Sequence, residues 1–204
     1  MTWGFSCSIR GTGSLGRFVL TGFGGRMHHL EMTPPQRPKV RPETAEDPAA
    51  IRAVHEFAFE TPAETDLVDA LRTRARPLVS LVGEDRGTIV GHILFSPVTL
   101  DDQPDLLILG LAPMAVLPAR QRRGIGSALV EAGLEECRKL GAGAVVVLGH
   151  PEYYPRFGFV PASRFGLASE YDAPDEAFMA LELEPGCLDG VAGTVRYHPA
   201  FGEM

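Results

Sequence analysis

Cysteine is scarce: 204 residues hold only Cys7, Cys137 and Cys187, far apart and without a Cys-x-x-Cys spacing. So few, in odd number, supply neither a disulfide framework nor a zinc site, and a reducing cytoplasm is the expected setting. Basic charge is short as well, with 19 Lys and Arg against 26 Asp and Glu and a formal net charge of -7. That balance speaks against a surface built for nucleic acid or anionic lipid, since both need broad positive patches. Long apolar runs are missing too. The richest stretches, around 106–117 and 144–148, are bounded by Pro or Gly and fall short of the ~18 residues a membrane helix needs, so a soluble protein is expected. A signal peptide is not supported, because the apolar stretch 18–20 is interrupted by Thr21 and Gly22 before a core of about seven residues forms.

No internal repeat is present, and 45% hydrophobic with 22% charged residues suits one ordinary core. Residues 1–39 show no sustained period and end in Thr33-Pro34-Pro35-Gln36-Arg37-Pro38; they are expected to be a disordered N-terminal extension, with Met27 and Met32 as alternative starts. His28 and His29 have no third ligand nearby, so they read as tail residues and no metal is expected.

From Val40 the pattern sharpens. Val40-Arg41-Pro42 reads as a strand, and Thr44 three residues before Asp47 resembles a capping arrangement ahead of Ile51, Val54, His55 and Phe59. Leu67, Val68 and Leu71 mark a second helix over 64–71. Stretches 78–84 and 88–98 are apolar and β-branched around Gly83-Glu84-Asp85-Arg86-Gly87, which predicts a hairpin. A third long strand over 106–116 carries Gly110 and Pro113, with Pro118 beyond, which predicts a bulge or splay. Residues 124–140 form the clearest helix, closed by Gly141, and 144–148 a strand apolar on both faces. A brief helix at 152–156, a strand-like 157–160 and a strand over 178–183 complete the pattern.

The most specific feature is Gln121-Arg122-Arg123-Gly124-Ile125-Gly126, between a strand and the start of the long helix. A helix N-terminus presents unpaired N–H groups with partial positive charge, and glycine lets a diphosphate approach the backbone. Arg120, Arg122 and Arg123 put three positive charges where the helix dipole disfavours them, and a phosphate ligand would remove that conflict. A dinucleotide-binding loop fits less well, because Leu129 stands where G-x-G-x-x-G/A needs a small residue.

This segment, with Ala115-Val116-Leu117-Pro118 before it, resembles the R/Q-x-x-G-x-G/A loop of the GNAT family of N-acetyltransferases, and Tyr153-Tyr154-Pro155-Arg156-Phe157-Gly158-Phe159 resembles that family's Y-x-x-x-G-F. The resemblance runs from Val40 to the C-terminus. It implies an α/β (α+β) fold with a mixed, splayed central sheet flanked by helices, and a domain over residues 40–204. It implies acetyl-CoA as co-substrate, bound by Met114, Ala115 and Val116 along the pantetheine and by Gln121, Arg122, Arg123, Gly124, Ile125, Gly126 and Ser127 at the diphosphate. It implies Tyr154 as the acid that protonates the leaving thiolate, and direct attack by an amine of a small molecule or of a protein or peptide. One departure stands out: many relatives carry Asn seven residues before the tyrosine, where this chain has Val147.

The resemblance does not identify a general base. His150, ahead of Pro151, is the first candidate, with Glu152, His92 and Glu84 behind it; a bland role for His150 is to precede a Pro-started turn. Tyr153 and Tyr154 have a competing reading as core aromatics, and Arg156 reads either as a phosphate holder or as surface decoration. Acidic residues at 60–66 and 170–175 suit a cationic amine or merely a solvated loop. The alternatives in function are a non-catalytic acyl-CoA sensor or scaffold, and an enzyme using another acyl donor. A homodimer fits the resemblance.

Overall fold

Strand and helix periodicities alternate along the chain, and the result is a mixed sheet with helices on both faces. The structure is a computed structural model and describes residues 38–101, 103 and 105–203. The expectations placed on the extension, on Met27, Met32, His28 and His29, and on Cys7 lie outside the described residues, Pro38 and Lys39 apart.

In chain order the elements are β1 (Lys39–Pro42), α1 (Pro48–Ala58), α2 (Ala63–Arg74), β2 (Val79–Asp85), β3 (Thr88–Leu100), β4 (Ile108–Val116), α3 (Ile125–Lys139), β5 (Ala144–Leu148), β6 (Val160–Pro161), β7 (Leu167–Ser169), β8 (Phe178–Glu182) and β9 (Gly193–Arg196). The sheet runs β1-β2-β3-β4-β5-β8-β6. Its pairs are antiparallel except β4 with β5. Strand β9 pairs antiparallel with the end of β3 and parallel with β7.

Local chemistry accounts for the punctuation. The hairpin closes on two residues, Arg86 and Gly87, both at positive φ between Asp85 and Thr88; this is the primed turn whose twist matches the strands. On β4, Met114 and Leu111 face Ile93 and Phe95, so β4 carries one residue more than β3 there, a bulge. The proline in it, Pro113, has no N–H to give a regular ladder. Helix α3 ends in a Schellman arrangement: Gly141 N–H donates to Arg138 O and Ala142 N–H to Cys137 O.

Three expectations are corrected. Asp47 does precede α1, but its carboxylate caps nothing in the helix; it accepts from Thr44 N–H (2.7 Å) and from Arg41 Nη1 (2.6 Å). Arg41 offers a charged fork, which outcompetes the helix amides. Phe157 belongs to a 3₁₀ turn, Tyr154–Phe157, and only Val160–Pro161 is strand; Gly158 at φ 95° ends the turn. Strand β1 begins at Lys39, inside the expected extension.

The sheet is covered on both faces. Ile51, Leu67, Val68 and Leu71 of α1 and α2 pack with Val82, Leu94, Ala112 and Val146. Ile125, Leu129, Val130 and Cys137 of α3 pack on the other face with Leu81, Phe95, Leu109 and Val145. Each fully buried aliphatic side chain contributes about 1.5–3 kcal/mol, so both layers hold the central strands and the loops at their ends in place. Among the described residues no helix is long and apolar enough to cross a membrane.

Candidate active site

The parallel pair is short. Ile108, Leu109 and Gly110 match Ala144, Val145 and Val146, and no pairing between β4 and β5 continues beyond. Strand β4 runs on to Val116 along β3, while β5 runs on to Leu148 along β8. The two central strands therefore diverge, and a gap opens in the middle of the sheet. Met114, Ala115 and Val116, the residues expected to line the pantetheine, stand on its β4 side.

The loop from β4 to α3 ends at this gap. Pro118–Arg120 forms a 3₁₀ turn, Gln121 Nε2 donates to Val116 O (3.1 Å), and Gly124 takes φ 82° to start α3. Among the described residues, the N–H groups of Arg122, Arg123, Gly124, Ile125, Gly126 and Ser127 reach no main-chain carbonyl; Ala128 is the first to bond back, to Gly124 O. These are the orphan donors of a helix start. Arg122 and Arg123 are exposed beside them. Arg120, grouped with them in the sequence, turns away: its Nη1 meets Asp85 on the hairpin at 2.7 Å. Among the described residues no group of three His, Cys, Asp or Glu is placed to hold a metal.

Tyr154 opens the turn after β5. Its residue is 7% exposed, and a Cβ on Gly149 would lie 2.4 Å from its ring. Its ring stands edge-on to Tyr153 and Phe159. Tyr153 reaches the other side of the site, where a Cβ on Gly126 would lie 2.7 Å from its hydroxyl oxygen. The segment carrying both tyrosines thus leans on the first turn of α3. Arg156 sits 4.6 Å over the Tyr153 ring and donates from Nε to Tyr153 O (2.8 Å), so it props this turn.

The base candidates separate. His150 is exposed and its carbonyl accepts from Tyr153 N–H (3.0 Å), so its main chain starts the turn. Glu152 is exposed on the same turn. Glu84 lies on β2, with β3 between it and the gap; Arg41 (2.6 Å) and Lys39 (3.3 Å) hold its carboxyl below the usual range.

His92 is fully buried and belongs to a network that the sequence did not reveal. His92 Nδ1 lies 2.9 Å from His55 Nε2, and His92 Nε2 lies 2.8 Å from Ser80 Oγ. Ser80 Oγ donates to Glu43 Oε2, and Arg72 Nε donates to Glu43 Oε1 at 2.6 Å. Burial alone would raise the Glu43 carboxyl, but the His92 ring nearby and the hydrogen bonds from Ser80 and Arg72 lower it to about 2. Burial pushes His55 down to about 3, with His92 and Arg72 nearby acting in the same direction, and burial also lowers His92. His55 occupied the apolar stripe of α1, a legible signal of burial, whereas its partners come from three other segments.

An ionised Glu43 fixes each proton in turn. The Ser80 hydroxyl points at the carboxylate, so the Ser80 oxygen accepts from His92 Nε2–H; His92 Nδ1 then accepts from His55 Nε2–H. His55 Nδ1 is left a bare lone pair, buried and without a partner among the described residues. A separate cavity of about 500 Å³, against Arg72, Arg76, Ser80, Glu136 and Leu140, lies by the C-terminal end of α3. The helix places it about 20 Å from the N-terminal loop.

Comparison with known proteins bears on this geometry. The profile of the acetyltransferase (GNAT) family matches residues 48–159. N-acetyltransferase YhbS of Escherichia coli K12 is 36% identical over 81% of this chain and 99% of its own length. A crystal structure of YhbS in complex with CoA superposes with a TM-score of 0.76, covering 81% of this chain and 92% of that one. A GNAT acetyltransferase from Brucella melitensis in complex with acetyl-CoA is 38% identical, with a TM-score of 0.67, over 81% of this chain and 98% of that one. N-acetyltransferase YjhQ of Escherichia coli K12 is 42% identical over 71% of this chain and 84% of its own length.

Proposed function

The chain belongs to the acetyltransferase (GNAT) family, and from that premise we propose that it carries acetyl from acetyl-CoA to a primary amine by direct attack, with Tyr154 as the acid. The observation that carries this reading is the gap between β4 and β5 opening beside the unpaired amides of α3. A diphosphate suits the N–H groups of Arg122 to Ser127 with Arg122 and Arg123 beside them. An extended pantetheine suits the free edge of β4 at Met114, Ala115 and Val116. Relatives solved with CoA and with acetyl-CoA support that ligand class here.

The amine nitrogen attacks the thioester carbon, the carbon–sulfur bond breaks, and the sulfur leaves with the bonding pair. Tyr154 gives its proton to that sulfur, and the proton released by the nitrogen restores the balance. A phenol of pKa ~10 donates to a thiolate of similar basicity with little penalty. Orientation in the gap supplies about 7–11 kcal/mol of barrier reduction, so no covalent enzyme intermediate is needed. Cys137 agrees: burial raises its thiol to about 12, which leaves it a poor nucleophile.

The acceptor is an amine of a small molecule or of a protein or peptide chain. Tyr154→Phe tests the reading against a non-catalytic CoA sensor. The enzyme reading expects free-thiol release over an amine panel to fall about 10²–10⁴-fold while calorimetry shows unchanged CoA affinity. A wild-type protein that does not bind CoA or acetyl-CoA sinks it.

A further inference from the structure

Where β4 and β5 part, two buried hydroxyls stand without a partner among the described residues. Ser96 on β3 is paired across the strands with Gly110, the last residue of β4 that pairs with β5. A Cβ on Gly110 would meet Val98 Cγ1 at 2.8 Å and Tyr197 Cε1 at 3.0 Å. Cross-strand partners share a face, so the Ser96 hydroxyl and the Tyr197 ring both lie on the α1 and α2 side of the divergence. Ser96 Oγ and Tyr197 Oη are each buried and each lacks a hydrogen-bond partner among the described residues.

Tyr197 is held there firmly. Its N–H donates to Glu170 Oε1 (2.5 Å), and its ring packs against Tyr171 and Phe201 at 5.6 and 5.1 Å. The phenol is raised above its usual range by burial first, then by Tyr171, Glu170 and Tyr154, so it stays protonated and Tyr154 lies within its electrostatic reach. An unpaired buried hydroxyl destabilises the free protein. A fold that fixes two of them at one junction, opposite the tyrosine of the turn, presents hydrogen-bonding capacity that a ligand can use.

We propose that the Tyr197 hydroxyl, with Ser96 on the same face of the sheet, receives the N–H groups of the attacking amine on the face of the gap opposite Tyr154. A neutral primary amine has one lone pair for the carbonyl carbon and two N–H groups that need acceptors in a dry site. Hydroxyl oxygens meet that need without adding charge. Tyr197 takes no proton in this scheme; it holds the nitrogen with its lone pair toward the carbonyl. The proposal rests on the acetyl-transfer reading above and adds the group that positions the acceptor.

Tyr197→Phe removes one oxygen and nothing else. With acetyl-CoA and hydroxylamine as a small amine, neutral near neutral pH, we expect thiol release about ten- to a hundredfold slower than wild type. Calorimetric CoA affinity should be unchanged, and Tm unchanged or raised, because an unpaired buried group has gone. Ser96→Ala provides a second variant, with a smaller rate loss and the same unaltered Tm. A lowered Tm shows a structural partner for the hydroxyl and overturns the proposal, as do full rates in both variants. Wild type that binds CoA yet does not accelerate hydroxylamine acetylation also overturns it and leaves the family reading standing. Wild type without CoA affinity overturns both.

Discussion

At the scale of single residues, the buried chain Glu43–Ser80–His92–His55 decides how far protonation states follow from packing. Each donor and acceptor is fixed because Glu43 stays ionised, held low against burial by His92, Ser80 and Arg72. Ser80 is the link with no substitute: Ser80→Ala would leave His92 Nε2–H, fully buried, without its closest acceptor, since Glu43 Oε2 stands 3.9 Å away. An unpaired buried donor costs about 1–3 kcal/mol, and a domain of this size loses about 2–4 °C of Tm per kcal/mol. Calorimetry of Ser80→Ala should show a Tm drop of several degrees. Imidazole ¹⁵N shifts of the wild type should show both histidines protonated on Nε2. A His55 proton on Nδ1 would refute the whole ordering. Sequence could place His55 on the inner face of α1 and Ser80 in a strand, but the contact between them is a product of tertiary registry.

At the scale of elements, α3 was the most legible part of the chain, because a 3.6-residue stripe, a Gly-x-Gly start and a glycine end agree with one another. The β2–β3 hairpin and β5 were legible for the same reason: their signals are local. Strands β7 and β9 were not, since Leu167–Ser169 and Gly193–Arg196 are short and pair only because β3 runs on past β4 to meet β9. The site split in the same way. Its loop was readable, whereas the diversion of Arg120 to Asp85 and the junction at Gly110 required the fold. The glycine at the second position of α3 separates binding from stability. Gly126→Ala adds a good helix former, worth up to about 1 kcal/mol, and the new Cβ would lie 2.7 Å from the Tyr153 hydroxyl oxygen, the far end of that side chain. The same methyl group stands among the amides proposed to hold the diphosphate. Unfolding measurements should show stability equal or raised, and CoA affinity should fall about tenfold or more. Equal affinity would place the diphosphate elsewhere.

At the scale of the whole molecule, the face carrying α1 and α2 and the face carrying α3 differ in kind. The α3 face is apolar throughout, with Leu129, Val130, Phe95 and Val145 fully buried. The opposite face buries His55 and His92 among its aliphatics, with the partly buried Glu43 carboxylate close by. The pH dependence of stability follows from that asymmetry. Both histidines have folded values below the ordinary one of 6.5, so the unfolded chain takes up their protons first. Stability is therefore complete above about pH 6.5 and declines as pH falls from there toward 3, by up to about 1.4 kcal/mol per pH unit for each histidine. Glu43 adds to the same trend lower down: its folded value is depressed to about 2, so its contribution is present above about 4.5 and is lost as pH falls below that. Thermal unfolding followed from pH 8 to pH 4.5 should show a plateau and then a steady fall in Tm that begins near 6.5. His92→Gln, which removes one of the two titrating rings, should reduce that slope. A Tm independent of pH across the window would mean that both histidines titrate alike in the folded and unfolded protein, and that the α1 face is held together by other contacts.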